Sequence, residues 1–107
     1  MSISFAADPV LRRVRQALDA MHGDRLERVV MYGSRARGDA RPDSDYDVAV
    51  FPHDLDDRWA ELNRLADLGT DICYDTGEFV HAMAYRAGSY TDPTLLMFGL
   101  RADGVDL

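Results

Sequence analysis

The sequence predicts an α/β (α+β) domain, a small mixed β-sheet with helices packed on it. Three observations predict it. Apolar residues recur at helical spacing in residues 9–22, 55–68 and 93–102. Short apolar runs at 28–32 and 45–51 stand between them, rich in Val and aromatic residues. Glycine or Asp-Pro punctuates most boundaries. The chain has 107 residues, which suits one domain over 1–107 without a repeat or a linker.

The elements follow in order. Asp8-Pro9 opens the first helix, because Asp can cap and Pro fits the first helical position. Leu11, Val14, Leu18 and Met21 form its apolar stripe, and Gly23 ends it. Residues 28–32 read as a buried strand. Gly33-Ser34 turns the chain, and residues 34–37 begin a short helix. The polar loop over 38–44 contains Pro42. Residues 45–51 alternate: Tyr46, Val48 and Val50 face one way, and Asp45, Asp47, Ala49 and Phe51 the other. Asp54 is expected to cap the next helix, with Asp57 near its third position. Leu55, Trp59, Leu62, Leu65, Ala66 and Leu68 give that helix its buried face, and Gly69 is expected to stop it. Residues 70–75 read as a strand, turned at Thr76-Gly77 into a second strand over 78–85. Asp92-Pro93 opens a last helix over 93–102, closed by Gly104. The predicted order is α-β-α-β-α-β-β-α.

Composition excludes several classes of function. The net charge is −7, which argues against a direct nucleic-acid binder with its basic face, but admits a basic protein partner or a divalent metal. No apolar run approaches the ~18 residues that span a bilayer. The first seven residues lack the basic start of a signal peptide. The single cysteine, Cys73, allows no internal disulfide and fits a cytoplasmic protein. All 12 cations are arginine, and ten of sixteen Asp residues fall within 39–75. That clustering directs attention to this segment.

Two features there carry chemistry. At Gly33-Ser34 the missing Cβ lets backbone approach a ligand, the hydroxyl can donate, and the following helix start favours phosphate. Asp45 and Asp47 stand two apart on a predicted strand, so their carboxylates share a face about 7 Å apart. Held together they repel, and a hard cation such as Mg²⁺ removes the conflict. Either feature alone is common in turns and on solvated strands. Together, at a spacing of ten residues, they are not.

The run Gly33-Ser34-Arg35-Ala36-Arg37-Gly38, then Asp43-Ser44-Asp45-Tyr46-Asp47, resembles the minimal nucleotidyltransferase (MNT) family of the DNA-polymerase-β-like superfamily. The tail over 96–107 resembles short MNT proteins more loosely. The resemblance implies a polymerase-β-like nucleotidyltransferase fold. It also implies in-line attack of a hydroxyl on the α-phosphate of a nucleoside triphosphate. Asp45 and Asp47 would hold Mg²⁺, and Gly33, Ser34, Arg35 and Arg37 would contact phosphates. The family pattern has a third carboxylate on a neighbouring strand. Asp71 and Asp75 are the choices, and Asp71 is preferred because Asp75 adjoins a turn, where Asp is common for structural reasons. Asp71 would complete the metal site and help deprotonate the attacking hydroxyl.

No segment remains for an acceptor-binding domain, so the acceptor is expected on another chain. Short MNT proteins resemble antitoxins encoded beside HEPN-domain RNase toxins, which implies transfer of AMP from ATP to a toxin tyrosine. A binding-only antitoxin and a stand-alone enzyme for a small hydroxyl substrate are the alternatives. Other residues take plainer readings. Cys73 and Trp59 are expected in the core. His22, His53 and His81 show no ligand spacing and are expected at the surface or partly buried. Met83, Met97 and Phe98 fit core or partner surface equally.

Overall fold

In the computed structural model the described residues are 8–41 and 43–107. The first seven, read above as unlike a signal peptide, and Pro42 of the polar loop lie outside them. Helix α1 (Pro9–His22) is capped by the Asp8 carboxylate, which accepts from the backbone N–H groups of Val10 and Leu11. A 3₁₀ turn leads into strand β1 (Leu26–Tyr32), then the short helix α2 (Ser34–Arg37) and strand β2 (Tyr46–Pro52). Helix α3 (Arg58–Thr76) and strand β3 (Val80–Ala84) follow. A second 3₁₀ turn precedes α4 (Leu95–Asp103) and the two-residue strand β4 (Val105–Asp106).

The four strands lie in the order β3-β2-β1-β4. β1 pairs antiparallel with β2 and β4, and β2 pairs parallel with β3. This is the mixed sheet that the sequence predicts. Its two faces are covered differently. Val29, Met31, Tyr46, Val48, Val50, Val80 and Ala84 turn to one face and pack under α1 and α3 in the main core. Val30, Ala49 and Phe51 turn to the other and pack with Met97 and Leu100 of α4, with three tyrosines around them. β2 is therefore buried along nearly its whole length, and Asp47 is the exception. Among the described residues no helix is long and apolar enough to cross a membrane.

The main departure from the sequence reading is α3. Residues 70–75, expected as a strand, continue the helix to Thr76. Gly69 does not stop it. A Cβ built at Gly69 would stand 2.7 Å from the Val80 carbonyl oxygen, so this glycine is where helix and β3 backbone meet. The chain turns instead at Gly77, whose φ of +77° and N–H to the Cys73 carbonyl make it the helix cap. Leu65, Leu68 and Ile72 are the buried stripe. Trp59, expected in the core, is 74% exposed, because the stripe starts a half-turn later, with Glu61. Asp57 rather than Asp54 caps the helix, accepting from Ala60 N–H at 3.0 Å, while Asp54 pairs with Arg25. Cys73 is half-buried on the helix rather than on a strand. The observed order is α-β-α-β-α-β-α-β.

Gly69→Ala gives an unusual sign. In an open helix alanine is favoured by about 1 kcal/mol over glycine. Here the new methyl meets backbone, and overpacking of this kind costs about 1–3 kcal/mol. Urea denaturation is expected to show net destabilisation.

Candidate active site

The candidate site occupies the part of the second sheet face that α4 leaves open. Asp47 pairs across the sheet with Tyr32 on one side and His81 on the other, and alternation puts all three side chains on this face. Asp45 is exposed one residue before β2. Its charge reaches Asp47 and, together with burial as the larger cause, raises the Asp47 carboxyl above the ordinary range. His81 and Arg37 oppose that rise. The Tyr32 phenol is pushed up to about 12, mainly by burial, then by Tyr85 and Asp47. It stays protonated near neutral pH and can donate on this face.

Gly33 explains why a glycine must follow β1. Its φ of +78° and ψ of −160° lie in a region essentially reserved for glycine. A Cβ there would collide with the Asp47 carboxylate oxygen Oδ2. The turn thus presses bare backbone against the acid and leaves a cradle that any other residue would fill. Gly33→Ala is expected to cost about 1–3 kcal/mol from the backbone alone. It should also blunt the rise in melting temperature that Mg²⁺ with a triphosphate gives the parent. A variant that melts and responds like the parent would show that the cradle is not needed.

The remaining expected residues divide. Arg37 is half-exposed, with Nε 3.4 Å from Asp39 Oδ2 and Nη1 3.9 Å from Asp103 Oδ2. These surface pairs are weak enough for an incoming phosphate to replace them. Arg35 turns to the other face. It stacks 4.0 Å over the Tyr46 ring, donates to the Ser44 carbonyl at 2.9 Å and pairs with Glu78. Tyr46 in turn donates to Asp8 at 2.9 Å. Arg35 therefore fixes the strand end that presents Asp45, and its position corrects the expectation that it meets phosphate directly.

Asp71 is a correction as well. It lies exposed on α3, on the covered side of the sheet, and shares no strand with Asp47. Asp75, the alternative, is on the same helix and pairs with Arg13 at 2.6 Å. The strand beside Asp47 carries His81 instead, with Nδ1 3.7 Å from Asp47 Oδ1. The sequence reading places His81 at the surface, where it lies, and gives it no role beside Asp47. The signal is the alternation Val80, Ala82, Ala84 against His81, Met83, Tyr85 within the strand expected over 78–85, which forms as β3.

The donors that this face offers fit a cation only in part. Two mutually repelling carboxylates, one of them half-desolvated in a glycine cradle, suit a hard dication. Among the described residues, however, no three of His, Cys, Asp and Glu converge on one point. The pair fits a cation whose other positions are filled by water or phosphate oxygen, as Mg²⁺ in nucleotide enzymes commonly is.

Comparison with known proteins bears on the family and the fold. The family described as Nucleotidyltransferase domain matches residues 11–81, a span running from α1 through Gly33, Asp45 and Asp47 to His81. Sequence comparison with curated proteins gives no match. A toxin-antitoxin crystal structure with AMP-PNP has 17% identity over 89% of this chain and 69% of its own, at a TM-score of 0.58. A mutant of the toxin-antitoxin MntA-HpeT has 20% identity over 90% and 70%, at 0.60. A candidate nucleotidyltransferase from Sulfolobus solfataricus has 18% identity over 98% and 87%, at 0.56. At such identities the likeness is one of fold.

Proposed function

This chain belongs to the nucleotidyltransferase domain family, and from that premise we propose that it is a Mg²⁺-dependent antitoxin. In this reading it transfers AMP from ATP to a tyrosine hydroxyl of a partner HEPN-domain toxin in the cytoplasm. The observation that carries the chemistry is Asp47 held against Gly33 on the open sheet face, with Asp45 beside it. Likeness in fold to toxin-antitoxin structures, one of them with AMP-PNP, supports the biological setting.

The residues take these roles. Asp45 and Asp47 hold the cation. A dication held there would supply charge neutralisation for the triphosphate. Gly33 lets the phosphates approach the main chain, and the Ser34 hydroxyl donates to them. Arg37 exchanges its surface carboxylates for phosphate oxygens. The Tyr32 phenol donates into the same space. Arg35 acts from behind, by holding Ser44 and so the strand end. The acceptor hydroxyl comes from the partner, and the net charge of −7 favours approach of a basic, RNA-cutting protein.

The test combines the protein, the HEPN protein encoded beside it, ATP and Mg²⁺, followed by intact mass. Addition of one AMP to the partner is expected, at a tyrosine located by peptide mapping. No adduct with any of the four nucleoside triphosphates would overturn the transfer. If Asp45→Asn and Asp47→Asn proteins still neutralise the toxin fully, the protein acts by binding alone.

A further inference from the structure

The neighbour of Asp47 on the next strand is a nitrogen donor, and this changes which cation the face should prefer. β3 runs parallel to β2 with His81 opposite Asp47. The strand from Val80 to Ala84 contains no Asp or Glu, so no carboxylate stands there. Nδ1 of His81 is 3.7 Å from Oδ1 of Asp47. That exceeds hydrogen-bond reach. It lies within the span that two donors can share around one cation whose bonds are each about 2.0–2.2 Å. The imidazole is 59% exposed, so it can rotate toward a cation without disturbing the core.

We infer that Asp47 and His81 together hold one cation, with mixed oxygen and nitrogen donors, and that the site prefers a transition-metal dication such as Mn²⁺ to Mg²⁺. The inference rests on the nucleotidyltransferase reading and sharpens it. Carboxylate, water and phosphate suit Mg²⁺ and Mn²⁺ alike, whereas imidazole is a poor ligand for Mg²⁺ and an acceptable one for first-row transition metals. Because among the described residues no three of His, Cys, Asp and Glu converge in advance, the cation would be held jointly with the triphosphate. Asp45, exposed one residue before β2, adds its carboxylate to the same cation as it binds.

The experiment uses Mn²⁺ with a non-hydrolysable ATP analogue and the full chain. Electron spin-echo modulation from a directly bound ¹⁴N is expected in the parent and absent in His81→Asp, with circular dichroism confirming that the variant is folded. Calorimetric titration should show the Mn²⁺-over-Mg²⁺ preference falling by about tenfold in His81→Asp, and Mn²⁺ affinity falling by about 10–100-fold in His81→Ala. If Mn²⁺ binds in a manner that needs Asp47 but shows no ¹⁴N coupling and the same preference in His81→Asp, the inference fails and the nucleotidyltransferase reading stands. If the parent binds neither cation even with the analogue, both fail together.

Discussion

Asp47→Asn should abolish nucleotide transfer and yet give a more stable protein. The loss expected is about 10³-fold in rate, because several kcal/mol of charge stabilisation depends on the cation that this carboxylate holds. The gain in stability follows from the same burial. The carboxyl is raised above its ordinary value by desolvation first and by Asp45 next, against the help of His81 and Arg37. A carboxyl raised on folding contributes most below the unfolded value and loses that contribution as pH rises through the folded one. Near neutral pH the parent therefore carries the cost of an ionised, half-buried acid, and asparagine of the same shape does not. Melting curves should show the variant above the parent at neutral pH, with the gap closing as pH falls toward the ordinary carboxylate range. Saturating Mg²⁺ and triphosphate should raise the parent and leave the variant unmoved, since only a ligand-binding native state is stabilised by mass action. A variant less stable than the parent at neutral pH would mean that the carboxylate is satisfied without a cation.

The elements that hold this acid were legible in the sequence to the extent that local rules decide them. Asp8-Pro9 opens α1 by a cap and a preset φ, and the helix forms where that chemistry puts it. The alternation over residues 45–51 is a local pattern with a single solution, so the shared face of Asp47, Ala49 and Phe51 survived intact. Gly33 and Asp47 were paired by spacing, and the turn does press one against the other. Gly69 failed for a reason that no local rule contains. A glycine after an apolar stripe reads as a helix end unless a strand packs against it, and β3 lies eleven residues further on. That reading adds a strand carrying Asp71, whereas the strand expected over 78–85 does form, as β3, and carries His81. His22 was missed in the same way. Its partner is thirty-nine residues distant, and a buried pair leaves no periodic trace.

That pair carries the largest expected loss of stability. His22, the last residue of α1, is buried, and Glu61 in the first turn of α3 is only 1% exposed. Nε2 of His22 stands 2.7 Å from Oε1 of Glu61, and Arg64 donates to Oε2 at 2.6 Å. Among the described residues no buried side-chain polar atom lacks a partner, so this knot is fully satisfied. Removing one member strands the other. Glu61→Ala is expected to cost about 3–5 kcal/mol, the usual effect of breaking a buried pair, against a total that is typically about 5–15 kcal/mol. Glu61→Gln should cost far less. Its amide nitrogen can donate to the imidazole in one tautomer while its oxygen accepts from Arg64, so both bonds survive without the charge. In urea denaturation the His22→Ala, Glu61→Ala double variant should lose less than the sum of the single losses, because the two share one interaction. Equal losses for alanine and glutamine would show that charge, not hydrogen bonding, holds α1 to α3. The knot lies on the helix-covered side of the sheet, and Asp47 on the open side. Glu61→Ala should therefore lower the fraction folded without changing transfer per folded molecule, the converse of Asp47→Asn. The fold separates the two: one face of the sheet is packed for stability, and the other keeps a half-desolvated acid for the cation and the phosphate it serves.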